Sequence, residues 1–472
     1  MVSDIRRTLA TRLDLSGPGP LPAGGNPGAK GAGCRGSEAV RAVRGPLGRG
    51  RSRSPAVGYA RQATPGGAVR RPAVERYISP VTTTPIYLDH SATTPVRREV
   101  LEAMLPFLGE AGFGNPSSSH RFGRSARAGL EQARREVAQS LGAEPSQVIF
   151  TSGGTEADNL AVIGAALAAR QQGRPMVAAV SAVEHKAVLA AAHQVKHLGG
   201  EEIILPVTSD GQLDLAALDA ALARSPAVVS VMWVNNETGV RQPLEEISAR
   251  CSRAGALLHS DAVQAFGKVP VSFRQLPCTL LTISGHKIGA PKGIGALIVR
   301  DRKAVEAIIH GGGQQFGIRP GTENVAGAVA LGRAAVLAAQ EQGAEAVRLG
   351  ALRDGLIDRL RERVADLTVH GEGAPRAPHI LNAGIPGAES EALLMHLDLA
   401  GIACSGGSAC STGAAEPSHV LSAMGVPRAL ALGSIRMSLG HETTPEEIDR
   451  VVQLFPGVVE KVRHLSVTLG RA

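Results

Sequence analysis

The sequence predicts an α/β fold, with a large region built on a mostly parallel sheet and a smaller α+β region after it. Two observations carry this. From Ile86 onward, short continuous apolar runs alternate with helical stretches, the pattern of strands buried on both faces and covered by helices. Those runs end in polar residues, and in such sheets ligands collect beyond the carboxyl ends of the strands. The bulk numbers agree. With 472 residues, 43% hydrophobic and 19% charged, the chain has room for two domains and a large core. No apolar run reaches the length of a membrane span.

Residues 1–80 stand apart. They contain 14 Gly and 9 Pro, with no apolar periodicity. Such a segment cannot bury enough surface to fold and is expected to be disordered. It is read as upstream sequence included by a misplaced start, against two other readings, a transit peptide and a basic interaction tail. It also carries the charge of the chain. It holds 14 Lys/Arg against 4 Asp/Glu, whereas the other 392 residues hold 36 against 38. The net +8 therefore does not describe a nucleic-acid surface on the folded part.

The ordered pattern begins at VTTTPIYLDHSATTPV (81–96). VIFTSGGTEADNLAVIGAALAAR (148–170) reads as strand, glycine turn and helix, and MVAAVSAVEHKAVLAAAHQV (176–195) repeats it. AVVSVMWVNNETG (227–239), ALLHSDAVQAFG (256–267) and TLLTISGHK (279–287) are further apolar strands. After about residue 335 a long helical stretch leads into the smaller region. The expected division is an extension at 1–80, a large domain at 94–337, and a small domain formed by 81–93 with 338–472.

Lys287 is the most informative residue. It closes a buried strand in SGHKIGAPKGIGAL (284–297), where desolvation lowers an amine's pKa, and a neutral amine attacks carbonyls. Ser284 and His286 beside it suit an anion, so the combination reads either as the site of a carbonyl cofactor that also carries a phosphate or as a surface lysine in a hairpin turn. GGTEADN (153–159), at a strand-to-helix turn, offers backbone amides and the Thr155 hydroxyl to such a phosphate. Asp261 at the end of its strand is either the partner of a protonated ring nitrogen or a helix cap. His185 either stacks on the cofactor and passes protons or is a satisfied core histidine. Arg436, amid apolar residues in SIRMSLG (434–440), either forks onto a substrate carboxylate or closes an internal salt bridge.

Five cysteines at 34, 251, 278, 404 and 410 are too few and too irregular for a disulfide framework or a zinc site, and fit a reducing cytoplasm. Cys410 lies in CSGGSACSTGAAEPSHV (404–420), whose glycines and small polar residues predict a mobile loop displaying a thiol that attacks and moves.

Together these segments resemble the cysteine desulfurases, in the class V aminotransferase group of the type I pyridoxal-phosphate fold. The resemblance runs from about Ile86 to about Arg463. It rests on YLDHSATTPV, FGNPSSSHRFGR, FTSGGTEADN, EHKAV, VNNETG, HSDAVQAFGK, SGHKIGAPKGIGAL, HGGGQQFGIRPGTEN and GGSACSTGAAEPSHVL. It implies that Lys287 holds pyridoxal 5′-phosphate covalently, that Asp261 pairs with the ring nitrogen and Gln264 with the ring hydroxyl, and that His185 stacks on the ring as acid/base. Gly154, Thr155, Ser284 and His286 would bind the phosphate. Thr322 would reach the phosphate of a second subunit, making a homodimer. Arg436 and Asn236 would grip the carboxylate of L-cysteine, with Asn236 also at the cofactor. Cys410 would take the sulfur as a persulfide, pass it to an iron–sulfur scaffold or a tRNA thiolation enzyme, and serve as a candidate transient iron–sulfur ligand. An ordinary aminotransferase needs no loop cysteine, and a selenocysteine lyase uses a similar site. An idle homologue serving only as a docking partner should have lost Lys287, Cys410 or Arg436.

Overall fold

The computed structural model describes residues 85–109, 112–276, 278–406 and 416–468. The extension at 1–80 and the loop around Cys410 therefore lie outside the described residues.

The first strand, β1 (Ile86–Tyr87), is short. The main sheet follows, from β2 (Val148–Thr151), β3 (Val177–Ser181), β4 (Glu201–Leu205), β5 (Val228–Ser230), β6 (Leu257–Asp261), β7 (Leu280–Ser284) and β8 (Gly295–Val299). Their order is β2-β8-β7-β6-β5-β3-β4. All neighbours are parallel except β8, which runs antiparallel to both β2 and β7. The strands are buried on both faces because successive side chains point to opposite sides. Val229, Leu258, Leu281 and Ile298 enter one core, with Leu331 and Ala335. Their neighbours Val228, Leu257, Leu280 and Leu297 face another, with Leu160, Ala161, Val188 and Ala191 of the helices Gly154–Gln171 and Lys186–His197. This is why the strands read as continuous apolar runs.

The run expected as a strand over 227–239 is a strand only at Val228–Ser230. Beyond it the Val231 and Trp233 N–H groups still donate to the His259 and Asp261 carbonyls at 3.0 and 2.9 Å, and the extended run then ends at the Asn235 side chain. Its Oδ1 accepts from the backbone N–H of Glu237 and of Thr238, both at 2.9 Å, and folds the chain into a turn.

A second sheet joins β9 (Thr368–Val369), β10 (Ile380–Gly384), β12 (Ser405–Gly406) and β13 (Ser434–Ser438) in the order β12-β13-β10-β9, while β1 pairs in parallel with β11 (Ile402–Ala403). Its core draws on both ends of the chain, from Ile86 and Leu88 to Leu381, Met437 and Phe455. The 37-residue helix Val325–Arg361, about 55 Å long, begins in the core of the main sheet and ends in this one, where Leu349, Leu356 and Leu360 are buried. No helix among the described residues is long and apolar enough to cross a membrane.

Candidate active site

Beyond the carboxyl ends of β6 and β7 lies a cavity of about 370 Å³. Gly154, Thr155, His185, Asn236, Asp261, Gln264, Ser284, His286, Lys287 and Arg436 all line it. Residues spread over nearly 300 positions thus line one cavity. Thr322 is exposed and is not among the residues lining this cavity. Cys410 lies outside the described residues, so the structure does not place it. A larger cavity of about 550 Å³, against Trp233 and Phe266, has no lysine, cysteine or histidine in its wall. Among the described residues no group of three or more His, Cys, Asp or Glu side chains could hold a metal ion.

One end of the cavity is shaped for an anion. β2 turns into the helix Gly154–Gln171, whose first N–H groups have no partner within the helix. Gly154 packs closely enough that a Cβ there would lie 3.1 Å from Val263 Cγ2, so the backbone itself approaches the cavity. The buried Ser284 Oγ has no hydrogen-bond partner. His286 Nδ1 lies 3.2 Å from Thr93 Oγ1. Burial, with help from Lys287 and Lys292, lowers its pKa to about 4, leaving a neutral ring.

Lys287 sits in the tight turn Gly285–Lys287 that follows β7. Its Nζ donates to the backbone carbonyls of Ser91 and, at 2.8 Å, Ala92. Burial lowers its pKa to about 8, assisted by Arg436 and opposed by Asp261 and Asp89. A substantial fraction of this amine is therefore neutral at mildly alkaline pH.

Asp261 is buried, and its Oδ1 accepts from the Val263 N–H at 2.8 Å. Among the described residues it makes no salt bridge. Burial pushes its carboxyl above the ordinary range, partly countered by the Val263 N–H, His185 and Lys287. A cation arriving in the cavity would find an undercompensated carboxylate. His185 caps the helix Lys186–His197 by accepting the Ala187 N–H at Nδ1, 3.1 Å away. In the neutral ring Nε2 therefore carries the proton, and that nitrogen is the one free to exchange it.

Arg436 lies on β13, opposite Asn382 on β10 and Ser405 on β12. Its guanidinium donates to Asp89 Oδ1 at 2.7 Å and to the Asn236 carbonyl at 3.0 Å. The internal salt bridge is thus present, and it aims the arginine from a strand that lines the cavity. Lysine at this position would keep the charge but lose the fork. We expect Arg436→Lys to raise KM for a substrate that carries a carboxylate about tenfold with a smaller change in kcat, read from initial rates. An unchanged KM would remove Arg436 from substrate binding.

The residue patterns above do not single out a polar network beneath the cavity. Glu184 Oε1 accepts from the Met232 N–H at 2.6 Å, and the Ser230 hydroxyl lies 2.8 Å from His259 Nδ1. His259 Nε2 lies 3.0 Å from Thr282 Oγ1 and 3.7 Å from Asp158 Oδ1. Burial lowers the pKa of His259 to about 3 and raises those of Glu184 and Asp158, so the network gains little by ionising. Polar residues inside apolar runs were the available signal, as in SAVEH and LHSD.

Glu237 adjoins the site. Its Oε2 accepts from the Ser418 hydroxyl at 2.5 Å. Burial pushes its pKa from 4.5 up to about 7, against the lowering effects of Ser418, Arg436 and Lys186. A carboxyl raised in the folded state stabilises fully below its unfolded value, and that stability is lost as pH rises through about 7. We expect Glu237→Gln to flatten the dependence between pH 5 and 8 and to gain on the order of 2 kcal/mol at pH 8, read from urea midpoints. An unchanged pH dependence would contradict this.

A family model described as aminotransferase class-V matches residues 86–451. A protein named cysteine desulfurase IscS from Dictyoglomus turgidum is 44% identical over 381 residues, covering 81% of this chain and 96% of its own. Cysteine desulfurase 2 from Trichormus variabilis is 48% identical over 381 residues, covering 81% and 94%. Among solved structures, a NifS-like protein superposes with a TM-score of 0.74 at 33% identity, covering 80% of this chain and 100% of that one. A structure described as SspA in complex with cysteine gives 0.65 at 30% identity, covering 75% and 98%.

Proposed function

Because this chain belongs to the class-V aminotransferase family and, within it, to the cysteine desulfurases, we propose that it takes sulfur from L-cysteine, releases L-alanine and carries the sulfur as a persulfide on Cys410. The fold is of the type I class of pyridoxal-phosphate enzymes, as expected from the sequence. The observation that carries the reading is a convergence in one cavity of a depressed amine, an undercompensated carboxylate and an unpartnered hydroxyl, at Lys287, Asp261 and Ser284.

These residues fit pyridoxal 5′-phosphate. Ser284 Oγ, His286, Thr155 and the amides at Gly154 would hold the phosphate, with Thr322 contributed by a second copy in a homodimer. Asp261 would meet the protonated ring nitrogen, Gln264 the ring hydroxyl, Asn236 the cofactor's edge and His185 its face. When bound, the cofactor supplies an aldehyde for amines and a sink for the negative charge left when the substrate loses its α-proton. The exposed pair Phe113 and Phe122, with ring centroids 5.3 Å apart, offers apolar surface to a second copy.

The remaining chemistry belongs to the chain. Arg436 and Asn236 orient the substrate carboxylate. Neutral Lys287 takes the α-proton, a role its lowered pKa suits at mildly alkaline pH. The Cys410 thiolate attacks the substrate sulfur, so an S–S bond forms as the Cβ–S bond breaks and its electron pair stays with the alanine fragment. Lys287 returns the α-proton to Cα, and His185 passes the proton given up by the Cys410 thiol to Cβ. Thiol plus cysteine thus becomes persulfide plus alanine, with atoms balanced. The described cysteines do not suit this role, because burial raises Cys251, Cys278 and Cys404 to about 12, far from a thiolate at neutral pH. Their free thiols fit a reducing cytoplasm. The sulfur would pass to an iron–sulfur scaffold or a tRNA thiolation enzyme, with no direct nucleic-acid or membrane contact. In this reading the main sheet with 94–337 is the large domain, and 81–93 with 338–472 the small one.

The test is to incubate purified, cofactor-loaded protein with L-cysteine and map peptides by mass. The expected result is alanine together with one added sulfur on the peptide containing Cys410. Alanine formed with sulfur on no cysteine would overturn the reading.

A further inference from the structure

Gln264 lines the cavity, and both ends of its amide are committed. Its Nε2 donates to the Ser91 carbonyl at 2.9 Å, the carbonyl that also accepts from Lys287 Nζ. A carbonyl only accepts, so the nitrogen end of the amide must face Ser91. The oxygen end, Oε1, lies 3.3 Å from His379 Nε2. An amide oxygen also only accepts, so Nε2 of His379 must carry the ring proton. His379 is 1% exposed, and its Nδ1 is buried with no partner. Burial, with Lys268, His90, Arg353 and Arg436 adding to it, drives the ring's pKa well below its ordinary value, so it stays neutral. A single tautomer of this histidine thus has one donor bond to make, and it makes it to Gln264. His379 enters from the foot of β10 in the second sheet, and its backbone carbonyl is held by the Leu439 N–H at 2.8 Å.

We infer that His379 is a positioning residue that locks the Gln264 amide with its NH₂ group toward the cavity, and so makes the site select a cofactor carrying an acceptor oxygen beside its aldehyde. The Gln264 NH₂ has two hydrogens. One is spent on Ser91, and the other remains for a ring oxygen. Without the His379 donor only the Ser91 carbonyl would hold the amide in this orientation, and an amide that rotated would turn its oxygen toward a phenolate. The inference rests on the cofactor reading above. It extends that reading to a residue that does not line the cavity.

The experiment measures equilibrium binding to the cofactor-free full-length protein with two probes, pyridoxal 5′-phosphate and its analogue lacking the 3-hydroxyl. Wild type should prefer the hydroxylated probe about tenfold, as a hydrogen bond to a charged oxygen provides. His379→Leu should bring the two affinities within about twofold, chiefly by weakening the hydroxylated probe, and His379→Gln, whose amide can donate from the same place, should restore much of the preference. His379→Asn, polar but too short to reach Gln264, serves if the leucine variant does not fold, and should also lose the preference. A preference that survives in His379→Leu or His379→Asn overturns the inference. Equal binding of both probes by wild type overturns it too while leaving the cofactor reading intact. Binding of neither probe by wild type overturns the cofactor reading, and the inference falls with it.

Discussion

Replacing Lys287 with alanine is expected to abolish covalent capture of pyridoxal 5′-phosphate and to cut alanine formation from L-cysteine by at least about 10³-fold. The size follows from two losses at once. The amine that anchors the cofactor is gone, and so is the base placed to take the α-proton. Both depend on the environment of the side chain. Lys287 is drawn into a largely buried turn after β7, and its pKa of about 8 makes it a nucleophile where an exposed lysine stays charged. The same shift has a pH signature. The rate at which cofactor-free protein captures the aldehyde, followed by the rise of yellow absorbance, should climb through pH of about 8 instead of about 10.4. A Lys287→Ala protein that remains yellow after dialysis and active would assign the amine elsewhere.

Replacing Cys410 with alanine should have an equally large effect on a different step. Cofactor binding and the colour change on adding L-cysteine should persist, because none of the described residues that line the cavity is altered. Sulfide release in the presence of reductant should fall by at least about 10³-fold, since none of the described thiols has a usable pKa. Undiminished sulfide and alanine would move the nucleophile to another residue. The two variants therefore separate capture from sulfur transfer, one colourless and the other coloured but unable to release sulfur.

Much of this was legible along the chain because the chemistry sits where apolar strands stop. Asp261, Ser284 and Lys287 follow runs that could only be buried, so a polar residue at each end marked the mouth of the sheet. The antiparallel direction of β8 was not legible, since GIGAL reads as apolar in either direction. Nor were the partners supplied by 89–94. Ser91 and Ala92 meet Lys287 through backbone carbonyls, and no side-chain pattern announces a carbonyl. Asp89 reaches Arg436 only because β1 runs beside β11 and the chain then bridges to Ser438, a pairing across nearly the whole protein. Asp158, Glu184 and His259 were hidden differently. Each is a polar residue in an apolar or helical run, where a satisfied structural role and a functional one look alike until their partners are seen. His379 lies beyond the reach of any motif, because its meaning comes from which end of Gln264 it touches.

The most direct measurement is to load the wild-type protein with pyridoxal 5′-phosphate, reduce it with borohydride and locate the modified residue by peptide mass mapping. The account predicts one pyridoxyl group per chain, on Lys287, with Lys186, Lys268 and Lys292 unmodified. A label on one of those lysines, or protein that takes up no cofactor, would contradict it.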